Sequence, residues 1–517
     1  MADQGTSKAR NVGELMSSPV VAASADETIA VAANRMREAK VGSLVVLDGQ
    51  RVAGIFTERD NVRFAAEGKD PATETVGEWM TADPDTVSPD ESVSDAFQSL
   101  SDHGYRHIPV VSDGQAVGIV SMRDLMRVAR IQPVDALAGE VPKGLEGVAV
   151  AETEIGDVRG KEGFFHYRQY SAVELAEKRT LEDVWHLLHE GYLPDKAQRD
   201  AFIEKVKPLR EIPAEVKELL PQIATLGERF APLEALRVGY SLFASSQDFK
   251  SFMDVSEDEL RMQALRSCAI FPTLVMALYR LHEGQEAVDP HPDLPYAANY
   301  LYMLRGEEPS PEEAHAIEQY LMLTIDHGFN ASTFTARVIT STGADLGSAV
   351  LGAIGALSGP LHGGAPSRAL DMLNDIGSKD NADAWLRDAV QSGRRLMGFG
   401  HRVYKTDDPR SVRLRTVAEE LDSGDRVDLA KHVEKRAVEI LQELKPGRNL
   451  YPNVEFYAGI VMDLIKMPPV LFTPTFACSR VIGWSSHVLE QAADNRLIRP
   501  SANYTGPPPP QEVPEVH

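Results

Sequence analysis

Three histidines in the later part of the chain stand beside glycine: His327 in "DHGFNAS", His362 in "GPLHGGAPS" and His401 in "GFGHRVYKTDDPR". A residue without Cβ lets a ligand come close to the backbone and lets an N–H point into a site. One acid, Glu455, interrupts the apolar and aromatic run "YPNVEFYAGIVM". A carboxylate placed there costs burial energy, so its presence points to a use. Four arginines, Arg402, Arg410, Arg480 and Arg499, lie in the same third of the sequence. Their planar guanidinium groups suit carboxylates and phosphates. Any one of the histidines alone reads as a satisfied polar residue. With the isolated acid and the arginines, the set reads as acid–base chemistry on a carboxylated substrate.

Competing chemistries lack their patterns. There is no His-Glu-x-x-His and no paired cysteines at zinc spacing, so no metal is expected. His186 and His189 in "VWHLLHEGY" share a helix that reads as core packing. No phosphate loop, dinucleotide fingerprint or serine elbow is present.

The elements that must position these groups are helical. "LEDVWHLLHEGYLP", "PLEALRVGYSLFASS", "LRSCAIFPTLVMALYRL" and "PEEAHAIEQYLMLTIDHGFN" carry apolar residues at helical spacing, with Pro and Gly between them. In this setting "HGFNASTFTAR", "GPLHGGA", "GFGHRVYKTDDPR", "PNVEFYAG" and "LFTPTFACSRVIGWSSHVLEQ" occur in an order and spacing that resemble citrate synthase, from about Gly144 to Pro500. The resemblance implies a mainly α fold with a large domain, residues 145–363 with 467–500, and a small domain, 364–466, that closes over the substrates. It implies condensation of acetyl-CoA with oxaloacetate, as in the tricarboxylic acid cycle, without a cofactor. Glu455 would be the base, His362 the donor to the enolate and His401 the donor to the ketone. His327, Arg410, Arg480 and Arg499 would hold oxaloacetate, with Arg499 supplied by the second subunit of a homodimer, and Arg402 and Lys405 would meet coenzyme A. The family's usual base is aspartate; here it is glutamate, one methylene longer. A 2-methylcitrate synthase using propionyl-CoA is the nearest alternative, since one methylene changes selectivity by only about 1–3 kcal/mol. A nucleotide-sensing protein with a degenerate synthase body is the other.

The front of the chain is duplicated. "GELMSSPVVAASADETIAVAANRM" from Gly13 reappears 64 positions later as "GEWMTADPDTVSPDESVSDAFQSL". The same offset pairs Met16 with Met80, Gly54 with Gly118, Thr57 with Ser121, Asp60 with Asp124 and Arg63 with Arg127. Each copy reads β-α-β-β-α, its strands meeting at an Asp-Gly turn. The pair, residues 11–70 and 71–130, resembles tandem CBS domains, an α/β module, most specifically in "GIFTERDNVR" and "GIVSMRDLMR". That resemblance implies adenine nucleotide binding, with Asp60 and Asp124 on ribose and Thr57, Ser121, Arg63 and Arg127 near phosphates. The same Thr/Ser-x-x-Asp patterns also cap helices. An N-terminal tail (1–10), a linker (131–144) and a Pro-rich tail (501–517) complete the organisation.

Composition bounds the rest. A chain of 517 residues exceeds the size of one ordinary core, so at least two domains are expected. The formal charge of −24 disfavours nonspecific nucleic-acid or anionic-lipid binding. No apolar run approaches the roughly 20 residues of a bilayer span, no secretory signal opens the chain, and two cysteines give no disulfide framework. No membrane association is expected, and a cytoplasmic location is the default expectation.

Overall fold

A computed structural model of the chain describes residues 11–517 except 103–104, 123, 126–142, 146, 227–229, 360–361, 363–365, 402–403, 405, 423, 448–449, 508, 512 and 514–517. Two compact units emerge: residues 1–148 with 501–517, and residues 149–500.

In the first unit the duplication is structural. Strands β1 (Ala22–Ser24), β2 (Ser43–Asp48), β3 (Arg51–Thr57) and β4 (Thr81–Ala82) form one sheet in that order. The second copy holds the hairpin β5 (His107–Ser112) and β6 (Gln115–Ser121). Ala23 pairs with Val46, and 64 positions on Val87 pairs with Val110, in the same parallel sense.

The copies exchange their leading segments. Thr81, which opens the second copy, pairs with Ile55 of the first, and its counterpart Ser17 pairs with Ile119 of the second. Val76 packs in the first core and Val12 in the second. This exchange explains two of the repeated residues. A Cβ on Gly54 would collide with Met80 Sδ, and one on Gly118 with Met16 Sδ, so each glycine makes room for the other copy's methionine. The hairpin turns differ slightly: the second is Asp113–Gly114, both at positive φ, whereas the first is Gly49–Gln50, with Asp48 still in the strand.

The second unit is built of helices around one continuous apolar core. Helix Glu257–His282 runs through it. Its length and composition would suffice to cross a membrane, yet most of its apolar window is buried inside the unit. Pro272 within this helix cannot donate to the carbonyl of Cys268; the Tyr296 hydroxyl lies 3.3 Å from that oxygen and 2.9 Å from the Cys478 carbonyl, between which its one proton is shared. His186 and His189 are buried, bonded to the Tyr192 carbonyl at 3.1 Å and the Ser485 hydroxyl at 2.9 Å, as core packing requires.

One element was not legible as a strand pattern. Gly156–Arg159, Phe164–Tyr167 and Tyr170–Ser171 form a small antiparallel sheet at the start of the unit. Just before it, the Glu154 amide donates to Glu490 Oε1 at 2.7 Å, on the last helix, Phe472–Ala493.

Candidate active site

The site is assembled from loops at helix ends. Helix Pro311–Thr324 delivers the loop bearing His327, and Asn330 caps the next helix, Ala331–Ser341. Gly328 sits at φ +62, and its amide is held by Asp326 Oδ2 at 3.1 Å. His362 follows helix Leu346–Leu357, and His401 precedes helix Pro409–Leu421, whose cap is Asp408. Glu455 lies in the first turn of helix Val454–Leu464, capped by Asn453.

The loops of His401 and Glu455 are laced together. Gly400 N–H donates to the Tyr451 carbonyl at 2.8 Å, Asn453 N–H to the Gly398 carbonyl at 2.8 Å, and Asn453 Nδ2 to the Gly400 carbonyl at 2.9 Å. Gly398, at φ +80, leaves only 2.8 Å between an added Cβ and Phe456 Cβ, so the "GFGH" glycine is required by the neighbour of Glu455.

His327, His401, Arg410 and Arg480 converge. The rings of His327 and His401 are 5.5 Å apart. Arg410 Nη2 lies 3.4 Å from His401 Nε2. Arg480, buried, donates from Nε to the Thr324 carbonyl at 2.9 Å, at the end of the helix that leads to His327. Burial, reinforced by Arg410, His401 and Arg480, holds His327 well below the usual imidazole range. His362 is lowered to about 4 by burial and by Arg480. These imidazoles are neutral near pH 7, in a field made positive by two buried arginines.

Glu455 departs in the opposite sense. Burial raises its carboxyl to about 7; Asp408 adds to the rise and Arg410 opposes it. Its amide is held by Asn453 Oδ1 at 3.0 Å. Asp408 grips Arg410 and also reaches the helix that carries Glu455.

His362 Nε2 lies 2.9 Å from Ser332 Oγ, which is also 2.7 Å from Asn330 Oδ1 and accepts Trp484 Nε1–H at 3.1 Å. Asp326, Ser332, Tyr404, Asp408 and Asn453 escaped the sequence reading. Only the capping pattern of Asn453 and the "DDPR" stretch signalled any of them.

Other expected residues lie elsewhere. Arg499 is exposed beyond the last helix and enters none of these contacts among the described residues. Arg402 and Lys405 lie outside the described residues, as does Arg127. In the first unit Thr57 and Asp60 form a capping box: Thr57 N–H donates to Asp60 Oδ2 at 2.9 Å, and Asp60 N–H to Thr57 Oγ1 at 3.4 Å. Arg63 pairs with Asp60 at 3.4 Å. Ser121 and Asp124 repeat the exchange, both ways at 3.2 Å. The capping role is therefore present in both copies.

The chain is similar to known proteins over both of its units. Residues 144–501 match the family described as citrate synthase, C-terminal domain, and residues 12–61 and 76–130 match the CBS domain. A citrate synthase of Haloferax volcanii is 40% identical over 372 residues, 72% of this chain and 97% of that protein. A 2-methylcitrate synthase of Shewanella oneidensis is 37% identical over 376 residues, 72% of this chain and 96% of that protein. The citrate synthase of Thermoplasma acidophilum, solved as a ternary complex with carboxymethyl coenzyme A and oxaloacetate, superposes with a TM-score of 0.66 at 31% identity, covering 72% of this chain and 98% of that one. With its mainly α body, its CBS pair and this site, the chain belongs to the citrate synthase family.

Proposed function

We propose that this protein condenses acetyl-CoA with oxaloacetate to give citrate and CoA. Glu455 removes a proton from the acetyl methyl group while His362 donates a hydrogen bond to the forming enolate oxygen. The enolate carbon then attacks the ketone carbon of oxaloacetate, whose oxygen takes a proton from His401. Water hydrolyses the resulting thioester and releases CoA. No redox step or cofactor enters this sequence.

The observation that carries the reading is the pair His401 and Arg410. Tyr404 N–H donates to His401 Nδ1 at 3.1 Å, and an amide can only donate, so the neutral ring carries its proton on Nε2. That N–H faces Arg410 Nη2 at 3.4 Å. His401 and Arg410 thus stand side by side in the site, where in this reading they meet the ketone and a carboxylate of oxaloacetate. The base next to them is raised to about 7, near working pH, as a proton-abstracting carboxylate should be.

Arg480 and His327 complete the oxaloacetate cradle in this reading. Arg499, exposed on its own chain, enters the site of the second copy in a homodimer. Arg402 and Lys405 are assigned to coenzyme A by resemblance alone, and the adenine nucleotide site of the CBS pair, at Thr57, Asp60, Arg63, Ser121, Asp124 and Arg127, likewise. Propionyl-CoA is the second candidate acyl donor, favoured by relatives such as the Shewanella oneidensis protein.

CoA release measured with oxaloacetate and either acetyl-CoA or propionyl-CoA tests the proposal. Higher kcat/KM with acetyl-CoA is expected. Preference for propionyl-CoA shifts the assignment to 2-methylcitrate, and no release from folded protein refutes a condensing activity.

A further inference from the structure

We propose that Tyr404 is a positioning residue of the oxaloacetate site, setting the protonation pattern of His401 through its backbone amide and that of His327 through its hydroxyl. The inference rests on the condensing reading above.

Tyr404 lies between His401 and Asp408 and is 2% exposed. Its amide donates to His401 Nδ1 at 3.1 Å, and its hydroxyl lies 3.0 Å from His327 Nε2. Its ring is 4.9 Å from the His401 ring and 5.4 Å from the His327 ring. The Arg410 guanidinium stands 5.7 Å from the ring centre, within reach of a cation–π attraction. One residue therefore touches three of the groups assigned to the substrate.

The hydrogen-bond direction follows from acidity and burial. Burial pushes the Tyr404 phenol up and His327 down, so a neutral phenol faces a neutral imidazole. The phenol O–H is the stronger donor of the two, so Nε2 accepts and the His327 proton resides on Nδ1. Without the hydroxyl, the ring can exchange tautomers and swing. A site with one mobile donor binds its ligand less tightly, because the ligand must then order that donor. The backbone half of the role survives any side-chain change, so His401 keeps its tautomer.

Tyr404→Phe isolates the hydroxyl, since the ring, the amide and the contact with Arg410 remain. The KM for oxaloacetate should rise about tenfold, with kcat and the KM for acetyl-CoA within about threefold of the parent. Calorimetry with oxaloacetate alone should show the same loss of affinity. If Tyr404 acts through His327, Tyr404→Phe should have no further effect in a His327→Ala background, an outcome that a packing role would not produce. An oxaloacetate KM within twofold of the parent, or the same factor in both backgrounds, overturns the proposal while leaving the condensing activity standing. A parent that neither turns over nor binds oxaloacetate sinks both.

Discussion

Asp408 holds Arg410 with both carboxylate oxygens, Oδ1 to Nε at 3.0 Å and Oδ2 to Nη2 at 2.8 Å. The same Oδ2 accepts the Val454 amide at 3.0 Å, at the start of the helix carrying Glu455. One buried acid thus fixes an arginine assigned to substrate and anchors the base, two groups 45 residues apart in sequence. Asp408→Asn should raise the oxaloacetate KM at least about tenfold and lower kcat as well. It also removes the negative charge that helps raise Glu455, so the acidic limb of kcat/KM should move to lower pH. Steady-state kinetics across pH 5–9 (about 0.5 unit steps) check both.

Glu455→Gln keeps size and hydrogen bonding but removes the base. Turnover should fall by roughly 10²–10⁴ while oxaloacetate binding is largely kept. Glu455→Asp shortens the side chain by about an ångström and should also lose activity if the loop is adapted to glutamate. A faster aspartate variant would mark the natural residue as a handicap.

The raised carboxyl of Glu455 has a stability consequence. Its folded value of about 7 exceeds the ordinary 4.5, so the folded protein holds this proton more tightly than the unfolded chain. The associated stability is fully present below about 4.5 and is lost as pH rises through about 7. Glu455→Gln, neutral throughout, should therefore be more stable than the parent at pH about 8, by on the order of 1–3 kcal/mol, with the gain vanishing towards pH about 4. Chemical denaturation of the ligand-free variants at the two pH values measures the difference.

His362 and Arg480 should separate kinetically. His362→Gln removes a donor used most strongly at the enolate stage and should mainly lower kcat, by about 10²-fold or more. Ser332→Ala should act in the same direction more weakly, because the Ser332 hydroxyl is the partner of His362 Nε2. Arg480→Ala should mainly raise the oxaloacetate KM. Effects falling the other way round would mean that the roles are misassigned.

The first unit should bind an adenine nucleotide. Calorimetry of the full chain with AMP, ADP, ATP and NADH, repeated on Asp60→Ala and Asp124→Ala, identifies the copy that binds. A chain lacking residues 1–135 should remain active and lose any response, a coupling typically of about 1–3 kcal/mol. No heat with any of the four nucleotides would leave only the capping role of Thr57, Asp60, Ser121 and Asp124.

Much of the scaffold could be read from spacing alone. The 64-residue register exposed the duplication because Met16/Met80 and Gly54/Gly118 are bound by a reciprocal steric fit, which keeps both members of each pair. The long helices showed themselves by period. The sheet at Gly156–Ser171 did not, since strands of two to four residues carry too few positions to display alternation. In the site, His327, His401 and Glu455 were visible as polar residues in glycine-rich or apolar settings. Asp408 and Tyr404 were hidden for a physical reason: an acid beside an arginine, or a tyrosine in a loop, gains its role from the groups that folding brings to it.

The bond between the Glu154 amide and Glu490 brings the first residues of the second unit against its last helix. Start and finish of this body lie at one place on its surface, as in domains that tolerate insertion and permutation. For protein engineering, the ends of this body should accept a short bridge, with new ends opened elsewhere, without rethreading the helices that hold Arg480 and Glu455, provided that Arg499 near the finish is kept in place.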